Sequence, residues 1–362
     1  MDEKYYMHLA IELAKKTKGQ TSPNPVVGAV VVNNGRIVGL GTHLKAGEAH
    51  AEIHALNMAG DFAENSTLYV TLEPCSHYGK TPPCVERIIK DKVKRVVIAM
   101  SDPNPLVSGN GVRLLEKAGI EVLVGIYEEE AKLLNEDFCK HIITGLPFIT
   151  VKTAMTLDGK IASHSGSSKW ITGEESRNYV QQLRHESDAI MVGIGTVLAD
   201  NPQLTVRPKE KGLSPIRVII DTYLKVPMDV KVITDNESPT IIFTTKNASI
   251  EKIRQLEKQN IRVIIVRGDI NVSLIDVFRE LGDMGITSVL VEGGAILIGS
   301  LFDEKLIDKY ICFIAPKLVG GALSPSSISG KGIAEMNEAI KLSNISITRY
   351  ADDICLTGYP EW

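Results

Sequence analysis

The sequence lacks the features of a membrane protein or a secreted protein. No apolar run among its 362 residues approaches the length needed to span a bilayer, and the N-terminus is acidic where a signal peptide would be apolar. The five cysteines are few, scattered and odd in number, which argues against a disulfide framework and favours a reducing compartment. We therefore expect a cytoplasmic protein with no membrane partner.

Dense clusters of lysine and arginine are also missing. With a formal net charge of −4, the chain has no electrostatic footprint for a polyanion, so no nucleic-acid partner is expected and small anionic ligands remain possible. An apolar fraction of 44% is ordinary for a globular protein. The length exceeds the usual size of one hydrophobic core, which predicts two domains.

Strand and helix signals alternate in the first part of the chain and predict an α/β domain. The runs 26–32 and 36–41 flank Asn33-Asn34-Gly35, whose Asn-Gly pair is typical of a tight hairpin. Further strands are predicted at 67–72, 95–100 and 121–124, and helices at 49–59, 83–90, 112–118 and 128–143. Gly145 and Pro147 end the last helix and set the predicted domains at 1–145 and 146–362.

A second alternating series predicts another α/β domain with a mostly parallel sheet. Its strands are predicted at 148–153, 189–192, 217–220, 240–243, 262–266 and 288–291. The tail lacks long helices between its strand signals, at 310–315, 345–349 and 354–357, which predicts antiparallel edge strands. The sheet of this domain is therefore expected to be mixed.

Four residues of the first domain form a pattern typical of zinc chemistry. His50 and Glu52 stand near the start of one predicted helix, and Cys75 and Cys84 lie in a proline-rich segment leading into the next. Imidazole and thiolate are preferred zinc ligands, and three protein ligands leave the fourth position for water. Pro82–Pro83 suits a first helical turn, which would place Cys84 at the positive end of that helix. We expect three zinc ligands, with Glu52 as the proton shuttle.

Two other interpretations of these residues stay open. The histidine and the cysteines can be unrelated core residues, because free cysteine is often simply buried. Alternatively, His77 or Cys139 supplies a fourth ligand and the zinc is structural, which would leave Glu52 without a task at the metal.

The second domain offers fewer motifs. No G-x-G-x-x-G sequence follows its first strand, so an ordinary Rossmann fold is doubtful. Glu292, Gly293 and Gly294 end a predicted strand just before a helix that begins near Ala295. Two glycines allow a phosphate to approach the backbone at a helix start, although a purely structural turn is equally compatible with them.

Longer segments resemble the bifunctional riboflavin biosynthesis deaminase/reductase family over essentially the whole chain. The segments are 21–32, 50–52, 73–84 and 102–105 in the first half, and 153–162, 170–172, 195–202 and 204–207 in the second. The resemblance implies a cytidine-deaminase-like domain followed by a dihydrofolate-reductase-like domain. It implies hydrolytic deamination of 2,5-diamino-6-ribosylamino-4(3H)-pyrimidinone 5′-phosphate, and then NADPH reduction of 5-amino-6-(5-phosphoribosylamino)uracil to the ribitylamino product. We also expect a homo-oligomer.

Residue roles follow from the same resemblance. It implies one Zn²⁺ per chain on His50, Cys75 and Cys84, with Glu52 catalytic. Deaminase substrate contacts would be Asn24, His43, His77, Lys80, Asp102 and Asn104. NADPH contacts would be Ala154, Trp170, Thr196, Asp200, Thr222, Gly294, Ala295, Ile296, Leu297, Ile298, Gly299 and Ser300. Reductase substrate contacts would be Lys152, Ser168, Arg184, Leu204, Arg207 and Glu292.

The basic residues among these have ordinary alternatives. Lys80, Arg184 and Arg207 are chemically suited to a phosphate, because an ammonium can reach it and a guanidinium can grip two oxygens at once. Lys80 is otherwise a solvated surface lysine, and either arginine is otherwise part of a surface ion pair.

Two rival functions use the same zinc pattern. One is a nucleoside or RNA deaminase fused to a non-catalytic nucleotide-binding module, which would need a basic groove that this acidic chain does not suggest. The other is a zinc-stabilised scaffold that senses a nucleotide without turning it over. A scaffold would gain nothing from a carboxylate such as Glu52 beside an open zinc position.

Overall fold

The computed structural model describes residues 2–78, 82–105, 107–207 and 212–362. The chain divides into two compact units, Met1–Leu146 and Pro147–Trp362, each built around its own sheet. Both sheets contain parallel and antiparallel strand pairs, which confirms the expected α/β class with a mixed sheet in the second unit. None of the helices in the described ranges is long and apolar enough to cross a membrane.

The first unit is a five-stranded sheet covered by helices. Its helices are α1 Glu3–Lys15, α2 Ala51–Ala59, α3 Cys84–Lys90, α4 Asn110–Lys117, α5 Glu128–Leu134 and α6 Glu136–Thr144. Its strands are β1 Gly28–Asn33, β2 Arg36–Thr42, β3 Thr67–Leu72, β4 Arg95–Met100 and β5 Glu121–Val124, in the spatial order β2-β1-β3-β4-β5. The hairpin β1–β2 is antiparallel, as predicted, whereas β3, β4 and β5 are parallel neighbours.

Helix α1 was not predicted, although its sequence carries the signal. Tyr6, Met7, Ala10, Ile11 and Ala14 are buried, and their spacing is that of one face of a helix with 3.6 residues per turn. These side chains join the core formed by the strands of the first sheet.

Helix α2 packs directly on β2 because two glycines of the strand have no side chain there. A Cβ atom at Gly39 would lie 2.1 Å from the Ala55 carbonyl oxygen, and one at Gly41 would lie 2.1 Å from that of Ala51. Real Cβ atoms do not approach a backbone oxygen so closely. The close packing fixes the N-terminus of α2, where the His50 backbone leads into the helix.

The predicted helix at 128–143 is wrong in its middle, because the structure breaks it into α5 and α6 at Asn135. The Asn135 side chain is fully buried and bonds both backbone groups of Val26, accepting from its N–H at 2.9 Å and donating to its carbonyl at 3.0 Å. A side chain that competes in this way for backbone partners favours a non-helical conformation. The contact is far apart in sequence, so helical periodicity did not reveal it.

The second unit is a nine-stranded sheet with helices. Its strands are β6 Phe148–Thr156, β7 Ala189–Gly193, β8 Ile216–Ile220, β9 Thr240–Thr244, β10 Arg262–Ile265, β11 Ser288–Val291, β12 Lys309–Ala315, β13 Leu342–Tyr350 and β14 Asp353–Pro360. Its helices are α7 Glu174–His185, α8 Ile194–Asp200, α9 Lys231–Thr234, α10 Ile250–Glu257, α11 Leu274–Asp283 and α12 Ala295–Asp303.

Six adjacent strands of this sheet are parallel, as predicted. The spatial order is β10-β9-β8-β7-β11-β6-β12-β14-β13, and the strands from β10 to β6 run the same way. Among the described strands, the prediction that the tail strands are antiparallel edge strands holds in full for β13; β14 is antiparallel but lies between β12 and β13, and the prediction is wrong for β12. That strand lies inside the sheet and pairs in parallel with β6, and only its other side is antiparallel, with β14. Strand composition does not encode which neighbour a strand takes.

We predict that Asn135→Ala lowers the free energy of unfolding by about 2–6 kcal/mol. The substitution leaves the buried N–H and carbonyl of Val26 without their partner, and each unsatisfied group costs about 1–3 kcal/mol. Chemical denaturation of the full chain measures the change. Asn57→Ala, on an exposed part of α2, is the matched control and should have little effect. Equal stability of the two variants would contradict this role of Asn135.

Candidate active sites of the two units

Three possible metal ligands converge in the first unit. His50, Cys75 and Cys84 offer one ligand atom each, and these atoms lie within 4.8 Å of one another. The His50 Nδ1 atom is 3.5 Å from the Cys75 sulfur and 3.3 Å from the Cys84 sulfur. The sequence prediction that these residues meet is consistent with this geometry.

The three residues reach the cluster from the ends of different elements. His50 directly precedes α2, which therefore begins two residues later than predicted, and Cys84 is the first residue of α3 after Pro83. Cys75 follows the end of β3 and accepts two hydrogen bonds from backbone N–H groups of α3. The Cys84 N–H donates to the Cys75 sulfur at 3.3 Å, and the Val85 N–H donates to the Cys75 carbonyl at 3.3 Å.

The donor set and its spacing fit zinc. With bonds of about 2.3 Å to sulfur and about 2.0 Å to nitrogen, a tetrahedral zinc ion holds its ligand atoms about 3.5–3.8 Å apart. The two nitrogen–sulfur distances fall at this spacing or slightly below it. Within the described part of the chain, neither His77 nor Cys139 joins the cluster. A fourth protein ligand, which would make the zinc structural, therefore has no support here.

The cluster favours a thiolate at Cys75. The Cys84 thiol, the His50 ring and the Cys84 backbone N–H bond the Cys75 sulfur and lower the pKa of its thiol to about 4, although burial opposes this. The Cys75 sulfur then carries the negative charge, whereas its hydrogen bond to Cys84 and burial raise the pKa of the Cys84 thiol. Such a site suits a divalent metal ion.

Glu52 lies beside the cluster in the first turn of α2. Its side chain is buried, and burial together with the Cys75 thiolate raises the pKa of its carboxyl group to about 7. The carboxyl group also interacts with the Cys84 thiol. A residue two positions from His50 can adjoin the same site because His50 stands just outside the helix.

The side chains of His43 and Asn24 lie next to the cluster. The His43 ring meets the His50 ring edge-on at a centroid distance of 5.3 Å. Its Nε2 atom lies 3.1 Å from the Asn24 side-chain nitrogen, and its Nδ1 atom lies 3.1 Å from the Ala49 carbonyl oxygen. Burial lowers the pKa of His43, which favours the neutral ring. The structure thus brings these two predicted substrate residues together.

Asp102 and Asn104 follow the carboxyl end of β4. An Asp102 side-chain oxygen accepts from the Asn104 N–H at 2.9 Å, and burial raises the pKa of the Asp102 carboxyl group. The Asp102 N–H donates to the Glu73 carboxylate at 3.1 Å, which places this segment beside the residues that precede Cys75. His77 itself is exposed, and Lys80 lies outside the described residues.

Glu73 is a residue of this site that sequence reasoning did not single out. It follows β3, and its buried carboxylate accepts from the N–H groups of Asp102, Gly109, Gly111 and Val112 at 2.9–3.3 Å. A carboxylate between an apolar strand and a metal ligand was the available signal, because such a group must find donors when it is buried.

The second unit contains a mostly buried ion cluster of Lys152, Arg184 and Glu292. Glu292 accepts from Arg184 at two oxygens, at 2.7 and 3.1 Å, and pairs with the Lys152 ammonium at 2.9 Å. Burial would raise the pKa of Glu292, but the Arg184 and Lys152 charges outweigh it and lower the pKa to about 2. Three predicted substrate residues therefore meet in one charged group.

The arginines predicted to bind phosphate are placed differently. Arg184 is mostly buried in the ion cluster and also donates to the Thr205 carbonyl at 3.0 Å, so its ion pair with Glu292 is not the surface pair of the alternative interpretation. Arg207 is exposed, and its backbone N–H donates to Gln181 at 2.7 Å. The Leu204 side chain is buried.

The predicted phosphate site lies at the start of α12, where the helix begins at Ala295 as expected. A Cβ atom at Gly294 would be 3.6 Å from the Thr196 hydroxyl oxygen, so two predicted cofactor residues adjoin. Of the predicted range, Leu297, Ile298 and Gly299 are buried, and only Ile296 is largely exposed.

Three predicted cofactor segments share one edge of the sheet. Thr196 follows β7, Thr222 follows β8 and Gly294 follows β11, and these strands are parallel neighbours in the order β8-β7-β11. The Thr222 carbonyl accepts from the Thr244 and Thr245 hydroxyls at 3.2 and 2.9 Å. Ligands of open α/β sheets bind at such an edge, outside the carboxyl ends of the strands.

The remaining predicted cofactor and substrate residues differ in their exposure. Trp170 is 65% exposed, and the Arg177 guanidinium lies over its ring, with the guanidinium carbon 4.7 Å from the Trp170 ring centroid. Ala154 is half-buried on β6, Ser168 lies two residues before Trp170, and Asp200 is exposed at the end of α8.

Two aspartates that the sequence reasoning missed anchor this region. Asp158 accepts from the Thr156 hydroxyl and from the Val319 and Gly320 N–H groups at 2.5–3.2 Å. Buried Asp353 accepts from the Gly173 N–H at 2.7 Å and from a serine hydroxyl at 2.6 Å, and so caps the N-terminus of α7. Both contacts join segments more than 160 residues apart, which no local motif reveals.

Comparisons with known proteins agree with this division into two units. Residues 1–100 match the family model of the cytidine and deoxycytidylate deaminase zinc-binding region, and residues 147–356 match the model of the RibD C-terminal domain.

Similar proteins cover the chain almost end to end. The riboflavin biosynthesis protein RibD of Bacillus amyloliquefaciens is 50% identical over 359 residues, which are 99% of this chain and 96% of that protein. The structure of Acinetobacter baumannii RibD has a TM-score of 0.90 at 38% identity and covers 99% of each chain. A Thermotoga maritima structure, described as a diaminohydroxyphosphoribosylaminopyrimidine deaminase/5-amino-6-(5-phosphoribosylamino)uracil reductase, has a TM-score of 0.86 at 39% identity and covers 99% of this chain and 98% of that one.

The fold and the two sites define a bifunctional enzyme, a zinc-dependent deaminase joined to an NADPH-dependent reductase. Its substrates are small phosphorylated pyrimidines. The chain belongs to the RibD family of riboflavin biosynthesis proteins. The family resemblance seen in the sequence is confirmed, and the rival functions of a nucleoside or RNA deaminase and of a scaffold are not favoured.

We predict that Cys84→Ser lowers zinc affinity at least about 100-fold, because a hydroxyl is a far poorer ligand than a thiolate and even outer-sphere changes cost 10–100-fold. Zinc content after mild chelation measures the loss. Cys139→Ser is the matched control, since that thiol lies outside the cluster. Stoichiometric zinc in a folded Cys84→Ser protein would exclude this cysteine as a ligand.

Proposed function

We propose that His50, Cys75 and Cys84 hold the zinc ion of the deaminase and that Glu52 transfers the protons of the reaction. The observation that carries the proposal is the meeting of one imidazole nitrogen and two sulfurs within 4.8 Å, next to a buried carboxyl group. Three protein ligands leave one position for the reacting water.

Deamination replaces the 2-amino group of the pyrimidine with an oxygen from water and releases ammonia. Zinc, when bound, supplies Lewis acidity that lowers the pKa of a water toward neutrality. The Glu52 carboxylate accepts the proton of the attacking water and returns a proton to the leaving amine. Its burial in the first turn of α2 keeps bulk water from competing for that proton.

The substrate of the deaminase would lie against two walls. Asn24 and His43 form one wall beside the metal ligands, where a neutral His43 ring that donates from Nδ1 to the Ala49 carbonyl accepts from the Asn24 amide at Nε2. Asp102 and Asn104 form the other wall at the end of β4. We assign His77 and Lys80 to the phosphorylated end of the substrate, because both belong to the loop between the two cysteines.

The reductase would bind NADPH along the carboxyl ends of β8, β7 and β11. Backbone N–H groups at the start of α12 would hold a cofactor phosphate, with Thr196 beside them and Thr222 at the next strand. Ala154, Trp170, Asp200 and residues 295–300 complete the proposed cofactor set. The hydride would pass from the nicotinamide to the C1′ carbon of the opened ribosyl group.

The ion cluster is the proposed substrate side of the reductase. Glu292 holds Lys152 and Arg184 in fixed positions, so their remaining donors can orient the hydroxyl and phosphate oxygens of the substrate. Arg207, exposed beside this region, would reach the phosphate more freely. Ser168 and Leu204 are the other proposed contacts.

We further propose that the two activities belong to separate domains with a boundary at residues 145–146. The two compact units and the two family models support this division. The enzyme would act in the cytoplasm as a homo-oligomer and without a nucleic-acid partner, in keeping with its few cysteines and its acidic net charge.

Replacing Glu52 tests the proton-transfer role. We predict that Glu52→Gln keeps one zinc per chain but slows ammonia release at least about 100-fold, because it removes the shuttle and spares the ligands. NADPH oxidation with the deaminated substrate should be unchanged in the same preparation. A zinc-loaded, folded variant with nearly normal ammonia release would exclude Glu52 from the chemistry.

A fragment of residues 146–362 tests the division into domains. We predict that it oxidises NADPH when supplied with the deaminated ribosylamino-uracil phosphate and not with the diaminopyrimidine, because the proposed reductase residues all lie within it. The control is cooperative thermal unfolding of the fragment. If a cooperatively folded fragment neither binds nor consumes NADPH with that substrate, the second unit is not an autonomous reductase.

A further inference from the structure

Glu73 joins two segments of the deaminase site: the cysteine arm, which runs from Glu73 to Cys75, and the substrate arm, residues 102–112. Its backbone continues through Pro74 to the metal ligand Cys75, and its side chain holds the segment 102–112. One carboxylate oxygen accepts from Asp102 and Gly109 at 3.1 and 3.0 Å. The other oxygen accepts from Gly111 and Val112 at 2.9 and 3.3 Å.

The surrounding backbone shows that this contact is closely fitted. The Glu73 N–H donates to the Met100 carbonyl at 3.0 Å, which ties the residue to the end of β4. A Cβ atom at Gly111 would lie 2.3 Å from the Pro74 carbonyl oxygen, so only glycine lets the segment approach the cysteine arm. Glu73 is 5% exposed and reaches four donors of a segment that carries none of the metal ligands.

We propose that Glu73 is a positioning residue of the deaminase. It fixes the distance between the cysteine arm at Cys75 and the substrate arm at Asp102 and Asn104. The proposal rests on the proposed function of Asp102 and Asn104 as substrate contacts. It adds that substrate affinity depends on a buried carboxylate that touches neither substrate nor metal.

The isosteric variant Glu73→Gln tests the proposal. In either orientation the amide keeps one oxygen and places an NH₂ group against two of the four N–H donors, so half of the segment loses its acceptor. We expect one zinc per chain, a deaminase KM raised roughly tenfold, and kcat changed less than about threefold. A factor of ten corresponds to about 1.4 kcal/mol, the scale of one hydrogen bond to a charged group.

The full chain supplies two controls in the same experiment. Glu64→Gln changes an exposed carboxylate of the same unit and should leave the KM unchanged. The NADPH-dependent reduction of the deaminated substrate should be unaffected in all variants, because Glu73 belongs to the other unit. Glu73→Asp keeps both accepting oxygens on a shorter side chain, so it should raise the KM less than Glu73→Gln.

The outcomes separate positioning from a general folding role. Loss of zinc from Glu73→Gln, or a fall in kcat at constant KM, would overturn the proposal, as would an unchanged KM. If Glu73→Gln does not fold, Glu73→Asp tests the proposal in its place. That variant must retain zinc and raise the KM, and either loss of zinc or an unchanged KM would overturn the proposal.

A parallel variant separates the failure of this proposal from that of the proposed function. Asp102→Ala tests the substrate contact directly, and an unchanged KM there would refute that contact whatever Glu73 does. If both single variants raise the KM, the double variant should raise it by less than the product of the two effects, because both act on the same segment. A KM increase in the double variant that equals the product of the two single increases would mean that Glu73 does not act through Asp102, and it would overturn the proposal.

Discussion

The approach of two cysteine sulfurs to one imidazole nitrogen is the constraint on which the first unit depends. Each of the three atoms lies where a different element begins or ends: before α2, after β3 and at the start of α3. Two cysteine side chains and an imidazole meet there, and a bound zinc ion would stabilise that arrangement. Packing of α2 on two strand glycines and the bonds between Cys75 and α3 keep these ends in place.

In the second unit the central group is the Glu292 carboxylate, which pairs with two cations. Glu292 offsets the charges of Lys152 and Arg184, and neither cation would be stable in this buried position without it. The group lies at the end of β11, beside the strand ends that carry Thr196 and Gly294. The same feature of α/β sheets, adjacent carboxyl ends of parallel strands, therefore brings the proposed substrate residue Glu292 next to the proposed cofactor residues.

Sequence patterns predicted most of the strands, and several to the residue, such as β3, β4 and β5. Apolar runs bounded by turn residues are local signals, and so they survive in a single sequence. The failures have non-local causes. Asn135 interrupts a helix because its side chain bonds Val26, and β12 lies inside the sheet because β6 pairs with it. Helix α1 is the exception, since its periodic apolar face was readable.

The sequence by itself determined the chemistry of the protein. Ligand types, the carboxylate two residues after His50, and the family motifs are properties of residue identity, which a single chain displays completely. Only the tertiary structure decided which groups act on one another. The pairing of Arg184 with Glu292 and the four bonds of Glu73 join residues that are far apart in the sequence. Such contacts depend on how strands and helices pack, and burial then makes each unpaired charge or donor too costly to leave unmatched.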